Sequence, residues 1–180
     1  MDVDVIVLNG VSSAGKTSLA RALQNLLLPQ IWLTFGVDSL INAMPPKLDG
    51  SPDGLLIAPG GAVTVGRLYR AMEDAWRLGV AAMARTGVRL VLDEVMFGGG
   101  EDQKLWAEAM TGLRVLWVGV HCDPAVADQR ELARGDRVVG LSARQAPLVH
   151  RGFRYDVEVD TTHPSAEACA GAIVEHITGD

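Results

Sequence analysis

The chain has 180 residues, 48 % of them hydrophobic and 21 % charged, a balance that suits one globular domain (1–180) with a core large enough to need no disulfide or structural metal. Its net charge of −6 and pI near 5.2 exclude a protein that wraps nucleic acid, because neutralising a phosphate backbone needs a basic face. Met1-Asp2-Val3-Asp4 runs into Val5-Ile6-Val7-Leu8 with no basic leader and no long apolar stretch, so neither signal peptide nor membrane span is expected, and the expected location is cytoplasmic.

The first predicted element is a strand over 3–9, apolar throughout, as in a parallel sheet covered on both faces. It runs into Gly10-Val11-Ser12-Ser13-Ala14-Gly15-Lys16-Thr17, which satisfies GxxxxGK[ST] and is followed by a predicted helix over 18–28 that Pro29 ends. A strand, this loop and a helix form the context in which backbone N–H groups cradle phosphate oxygens and the helix N-terminus adds its positive end. All eight residues are therefore candidate nucleotide-binding residues. Lys16 is expected to bridge the β- and γ-phosphates, and Thr17 to offer its hydroxyl to Mg²⁺.

A second strand is predicted over 31–36, and Asp38 follows it within Phe35-Gly36-Val37-Asp38-Ser39-Leu40. At the same sheet edge as the loop, its carboxylate suits a general base for a hydroxyl nucleophile; Asp ahead of Ser39-Leu40-Ile41 suits a helix N-cap equally well. Residues 45–66 are rich in Pro and Gly and too long for an idle connection, which suggests a cover on the substrate side. In the helix predicted over 67–86, Leu68, Met72, Trp76, Val80 and Met83 recur at three- and four-residue steps as an apolar core stripe.

The third strand, 89–93, ends in Asp93-Glu94, the form of a Walker B strand whose first acid holds the metal through water. Helices are predicted over 101–111, 124–134 and 165–177, with strands over 114–120 and 157–160, giving five parallel strands in an α/β fold. Arg130, Glu131, Arg134, Gly135, Asp136 and Arg137 form a basic, Gly-broken turn that reads either as a lid over about 130–142, with Arg134 and Arg137 clamping the transferring phosphoryl group, or as charge complementing a helix C-terminus. With Arg130, Thr161 and Thr162 after the last strand are expected to border the nucleotide. Cys122 and Cys169 read as buried thiols, and the four histidines make no metal pattern.

These residues together point to an ATP- and Mg²⁺-dependent phosphotransferase acting on a hydroxylated small molecule, with no nucleic-acid or membrane partner and with a homo-oligomer left open. A regulatory GTPase should also carry [NT]KxD after a late strand; the nearest string, Pro46-Lys47-Leu48-Asp49, lacks the first residue and follows the second strand. A metabolic kinase of the shikimate, gluconate or nucleoside type stays open. The cover holds only Lys47 as a base, which favours a neutral, partly apolar acceptor over an anionic one.

Specific strings also match a known family. Leu8-Asn9-Gly10 with Ser12-Ser13-Ala14-Gly15-Lys16, the Phe35–Leu40 string, Met44-Pro45, Leu116-Trp117-Val118-Gly119-Val120, Ala133-Arg134-Gly135-Asp136-Arg137 and the run from Tyr155 to Thr162 resemble the chloramphenicol 3-O-phosphotransferases over nearly the whole chain. That resemblance implies Asp38 as the base on the drug's primary 3-hydroxyl, supports Arg134 and Arg137 as lid residues, and implies antibiotic inactivation. It also implies a P-loop kinase fold with helices on both faces of a sheet ordered 2-3-1-4-5. An aromatic acceptor would have Phe35, Met44, Leu55, Leu56, Ile57, Met96 and Phe97 as its apolar candidates.

Overall fold

The computed structural model describes residues 2–135 and 138–179. Along the chain it places β1 (Val5–Asn9), α1 (Lys16–Leu26), β2 (Trp32–Gly36), α2 (Val37–Ala43), a 3₁₀ turn (Pro46–Leu48), β3 (Leu55–Ile57), β4 (Val63–Val65), α3 (Arg67–Arg85), β5 (Arg89–Glu94) and α4 (Gly100–Ala109). There follow β6 (Val115–His121), α5 (Pro124–Arg134), α6 (Leu141–Val149), β7 (Val157–Asp160) and α7 (Ala166–Thr178). The main sheet runs β2-β5-β1-β6-β7, all parallel, which is the expected 2-3-1-4-5 order once the small β3–β4 hairpin is counted apart.

Alternation along the central strands explains the two layers. In β1, Ile6 and Leu8 join Val91, Val118 and Val120 under α1 and α7, where Leu19, Leu23, Ala170 and Ile173 close the core. Val5 and Val7 point the other way with Leu90 and Leu92, against Val80, Ala81 and Ala84 of α3 and Trp106 of α4. By the same alternation Asp93 lies on the α1 side of the sheet and Glu94 on the α3–α4 side.

The register sets the site. Gly36 and Leu8 both stand opposite Asp93, so the carboxyl ends of β2, β5 and β1 finish level. A Cβ at Gly36 would overlap the Asp93 carbonyl, and one at Gly10 would overlap that of Val120. These two glycines let the strand ends close up. Asn9, fully buried, then ties three segments to this edge: Nδ2 donates to Val149 O (2.7 Å) and Tyr155 Oη (2.8 Å), and Oδ1 accepts from Met96 N (3.0 Å).

Several expectations need correction. Of the expected α3 stripe, Val80 is buried and Met72, Trp76 and Met83 pack half-buried against the core, while Leu68 is exposed; Tyr69, Arg77, Ala81 and Ala84 complete the buried face. The cover is not a plain loop. It holds the β3–β4 hairpin, antiparallel from Leu55–Val65 to Ile57–Val63, and packs Leu55 with Leu40, Met44 and Tyr69 into a third small core. The helix α6 was not anticipated, because Pro147 lies inside it and removes a backbone donor. Its start is held from outside by Glu131, whose carboxylate accepts from Leu141 N (3.1 Å) and Ser142 N (2.9 Å). Burial works to raise the Glu131 carboxyl, and these hydrogen bonds outweigh it, so the group lies below the usual carboxylate range. Cys122 is half-buried rather than buried. Among the described residues no helix is long and apolar enough to cross a membrane.

Candidate active site

One cavity of about 800 Å³ opens at the carboxyl edge of the sheet, within the range that holds a small ligand. The phosphate-binding loop lines it through Ser12, Ser13, Gly15, Lys16 and Thr17. Gly10, Val11 and Ala14, also expected to bind nucleotide, stand behind: the side chains of Val11 and Ala14 are core, and Gly10 serves strand packing. Gly15 caps α1 in the left-handed region at φ 86° with no side-chain cap, which leaves the first turn of N–H groups to an anion. Ser13 adopts φ 60°, unusual for a residue other than glycine, and its buried hydroxyl has no partner. A phosphate oxygen would satisfy it, so the loop fits a polyphosphate.

Lys16 is buried (5 % exposed), not the exposed loop lysine that its motif suggests. Its Nζ donates to Val11 O (2.9 Å) and stands 3.6 Å from Asp93 Oδ1. Burial pushes the ammonium below its ordinary value of 10.5, and the carboxylates of Asp93, Asp38 and Glu94 oppose that shift. Thr17 Oγ1 donates to Asp93 Oδ2 (2.6 Å). A hydroxyl and a carboxylate side by side are the hard oxygen donors that suit magnesium, and the described residues hold no cluster of three or more His, Cys, Asp or Glu for a metal bound by protein alone.

Asp38 lines the same cavity from the first turn of α2. It is not the N-cap: Gly36 holds that position, and the Ser39 hydroxyl accepts the Gly36 N–H (3.2 Å). Arg130 and Arg134 both line the cavity from α5. Arg130 is further anchored, donating to Thr161 O (2.8 Å) and Cys122 Sγ (3.3 Å). Thr161 lines the cavity and donates to Ala14 O (2.6 Å), bracing the phosphate loop. Thr162 does not line it, since its hydroxyl accepts from Asp123 N (2.8 Å) at the start of α5; Pro164, Ser165 and Ala166 form that wall instead. Arg137, with Asp136, lies outside the described residues, as does that part of the expected lid.

The far half of the cavity is where sequence reasoning reached least. Phe35, Leu55, Ile57, Met96 and Phe97 line it as expected, joined by Ile41, Val63, Val65, Tyr69 and Trp106. Met44 and Leu56 do not: Met44 is packed into the core under the hairpin. Four charged residues of this half are not singled out by their motifs, namely Glu73 and Arg77 of α3, Asp102 of α4 and Glu94 beside Asp93. Arg77, 7 % exposed, pairs with Glu73 (3.6 Å) and with Asp74. Glu94 is 6 % exposed and its Oε1 has no hydrogen-bond partner. Burial, then the charges of Asp93 and Glu73, hold its carboxyl well above the usual range; burial likewise raises Glu73. The signal was present as the spacing 69-73-77-80-84, a helical stripe with an ion pair in its middle.

A family model described as chloramphenicol phosphotransferase-like protein matches residues 3–178. A candidate O-phosphotransferase of Mycobacterium tuberculosis (strain ATCC 25618 / H37Rv) is 32 % identical over 197 residues, covering 92 % of this chain and 83 % of that protein. Among solved structures, a sugar kinase from Janibacter sp. HTCC2649 matches with a TM-score of 0.73 at 13 % identity, over 98 % of this chain and 95 % of that one. The Mycobacterium tuberculosis APS kinase in complex with AMPPNP and APS matches with a TM-score of 0.66 at 14 % identity, over 98 % of each chain. At such identities the structural likeness speaks for the fold alone, and the sequence matches carry the assignment: the chain belongs to the chloramphenicol phosphotransferase-like family of phosphotransferase enzymes.

Proposed function

We propose that this enzyme moves the γ-phosphate of ATP to a hydroxyl of a small, partly apolar acceptor of the size of chloramphenicol, at a primary hydroxyl such as the drug's 3-hydroxyl, and so inactivates an antibiotic of that kind. The observation that carries this reading is that Asp38 lines the same cavity as Lys16, Thr17 and Asp93, while the other half of that cavity is apolar enough to seat a ring.

The acceptor hydroxyl sits between Asp38 and the γ-phosphate. As its oxygen attacks, Asp38 takes the proton, the new O–P bond forms and the bond from the γ-phosphorus to the bridging oxygen breaks, leaving ADP. Lys16 reaches the β- and γ-phosphates by giving up its contact with Val11 O, and Arg134 from α5 adds charge over the transferring group, with Arg137 assigned the same role. Magnesium, held by Thr17 and through water by Asp93, would neutralise phosphate charge. Arg130 and Thr161 border the nucleotide, and Ser13 offers its hydroxyl to a phosphate. An anionic acceptor is less well served, because Arg77 is already paired with Glu73 and Asp74.

The test is a screen of hydroxylated acceptors with ATP and Mg²⁺, read by a mass gain of one phosphate, with GTP as the competing donor. Transfer to chloramphenicol or a close analogue at the primary hydroxyl, with ATP preferred, is the expected result. Far higher kcat/KM on shikimate, gluconate or a nucleoside would overturn the antibiotic reading, and preferred use of GTP would overturn the donor assignment.

A further inference from the structure

The cavity is divided by charge. Lys16, Arg21, Arg130 and Arg134 line the side built by the phosphate loop, α1 and α5, with Asp93 beside Lys16. The side built by α3, the end of β5 and α4 carries Glu73, Glu94 and Asp102 against a single guanidinium, Arg77, which is turned on to Glu73 (3.6 Å) and Asp74 of its own helix. Asp102 accepts the Gly98 N–H (2.7 Å) and keeps its place at the wall. Glu94 is different. It is 6 % exposed, and its Oε1 is buried on this wall with no hydrogen-bond partner. Buried polar atoms nearly always have partners, so an orphaned one at a cavity wall marks where a ligand's donor belongs. Tyr69 and Trp106 line the same end, and aromatic rings beside carboxylates are a surrounding that suits an organic cation.

We propose that the wall of Glu73, Glu94 and Asp102 receives a protonated amine, so that the preferred acceptors are amino alcohols, with one hydroxyl presented to Asp38 and one ammonium group held by the carboxylates. This rests on the phosphotransfer reading for the hydroxyl and goes beyond it in naming the second group of the acceptor. An ammonium gives the orphaned Glu94 oxygen a donor, and its charge favours the ionised form of carboxyls that burial disfavours. A neutral secondary amide in the same place supplies one donor and no charge.

The test uses the full chain with Mg²⁺ and a non-hydrolysable ATP analogue. Binding is measured by calorimetry for two probes: chloramphenicol stripped of its dichloroacetyl group, which has a free amine and keeps the primary hydroxyl, and the same compound with the amine acetylated. The amine is expected to bind at least about tenfold more tightly, a difference within reach of one desolvated ion pair. Glu94→Gln and Glu73→Gln should each reduce the ratio of the two affinities towards one; the partly exposed Glu73 serves if the Glu94 variant does not fold. Equal or weaker binding of the amine, its failure to bind, or a ratio that survives both substitutions overturns the proposal. The same probes with ATP separate the two readings. Transfer to both at equal kcat/KM leaves the phosphotransfer reading and sinks the amine site, whereas tight binding of the amine with transfer to neither probe keeps the amine site and sinks the choice of hydroxyl.

Discussion

The two halves of the cavity are built differently. The phosphate half comes mostly from one contiguous segment, Gly10–Thr17: Lys16 rests on Val11 O and Asp93, Thr17 rests on Asp93, and the buried Ser13 hydroxyl alone waits for a partner. The acceptor half is assembled from α2, the β3–β4 hairpin, α3, the end of β5 and α4, and it holds a buried carboxyl oxygen with no partner. A local motif can be specified by spacing, because its chemistry is the same for every nucleotide. A pocket for a particular acceptor has to be drawn from distant elements, which no local spacing specifies.

If that contrast is right, substitutions in the phosphate half should abolish catalysis whatever the acceptor, and those in the acceptor half should change which acceptor is used. The largest effect is expected for Lys16→Ala, a loss of roughly 10³-fold in kcat/KM on every acceptor, since one preorganised donor to a developing charge contributes about 10²–10³-fold. Circular dichroism should show the fold kept; loss of folding would mean that the buried ammonium is structural. Asp38→Asn comes next. It keeps the shape and loses the base, so kcat should fall by roughly 10²-fold with nucleotide affinity unchanged, as measured by steady-state kinetics beside nucleotide titration. A fall of only a few-fold would return Asp38 to the role of a helix-terminal charge.

A smaller effect should come from the apolar wall. Ile57→Ala, at the hairpin, is expected to raise KM for an aromatic acceptor by about tenfold while kcat and the KM for ATP hold, because removed methylenes weaken uniform binding. An equal rise in the KM for ATP would show that the two halves are not separable in function.

The smallest effect concerns pH and lies outside both halves. Burial, and then the charge of His121 stacked 4.3 Å away, pushes His150 from 6.5 down to about 4. Its Nδ1 lies 2.6 Å from Tyr155 Oη, which also accepts from Asn9. Between pH 6.5 and 4 the unfolded chain takes up this proton before the folded one does, so stability should fall as pH falls through that window. Thermal melts should show the decline, and His150→Asn should flatten it; an unchanged slope would assign the acid sensitivity to other groups.

Much was legible before folding. The five parallel strands, the phosphate loop between β1 and α1, Asp93 at the end of β5 and the whole of α5 follow from apolar runs, Gly and Pro punctuation and motif spacing, which are local properties. The β3–β4 hairpin was not legible, because three-residue strands are too short to show an alternating pattern. In α3 the apolar stripe through Trp76, Val80 and Met83 was legible, whereas the burial of Tyr69 and Arg77 beside it was not, because a polar residue's burial depends on what packs over it. Thr162 and Thr161 are neighbours of the same type, yet one hydroxyl meets Asp123 N and the other Ala14 O.

The sequence by itself determined the kind of chemistry, because a phosphate is bound by backbone amides and a lysine whose spacing is written in eight consecutive residues. Only the tertiary structure decided the surroundings of the acceptor. Whether Glu94 faces the side of Asp93 and Thr17 or the side of α3 and α4 depends on the pleat of β5, and whether Arg77 is free for an anion or already paired depends on which face of α3 is buried. Those are relations between elements far apart in the chain, and they are fixed by packing rather than by the order of neighbouring residues.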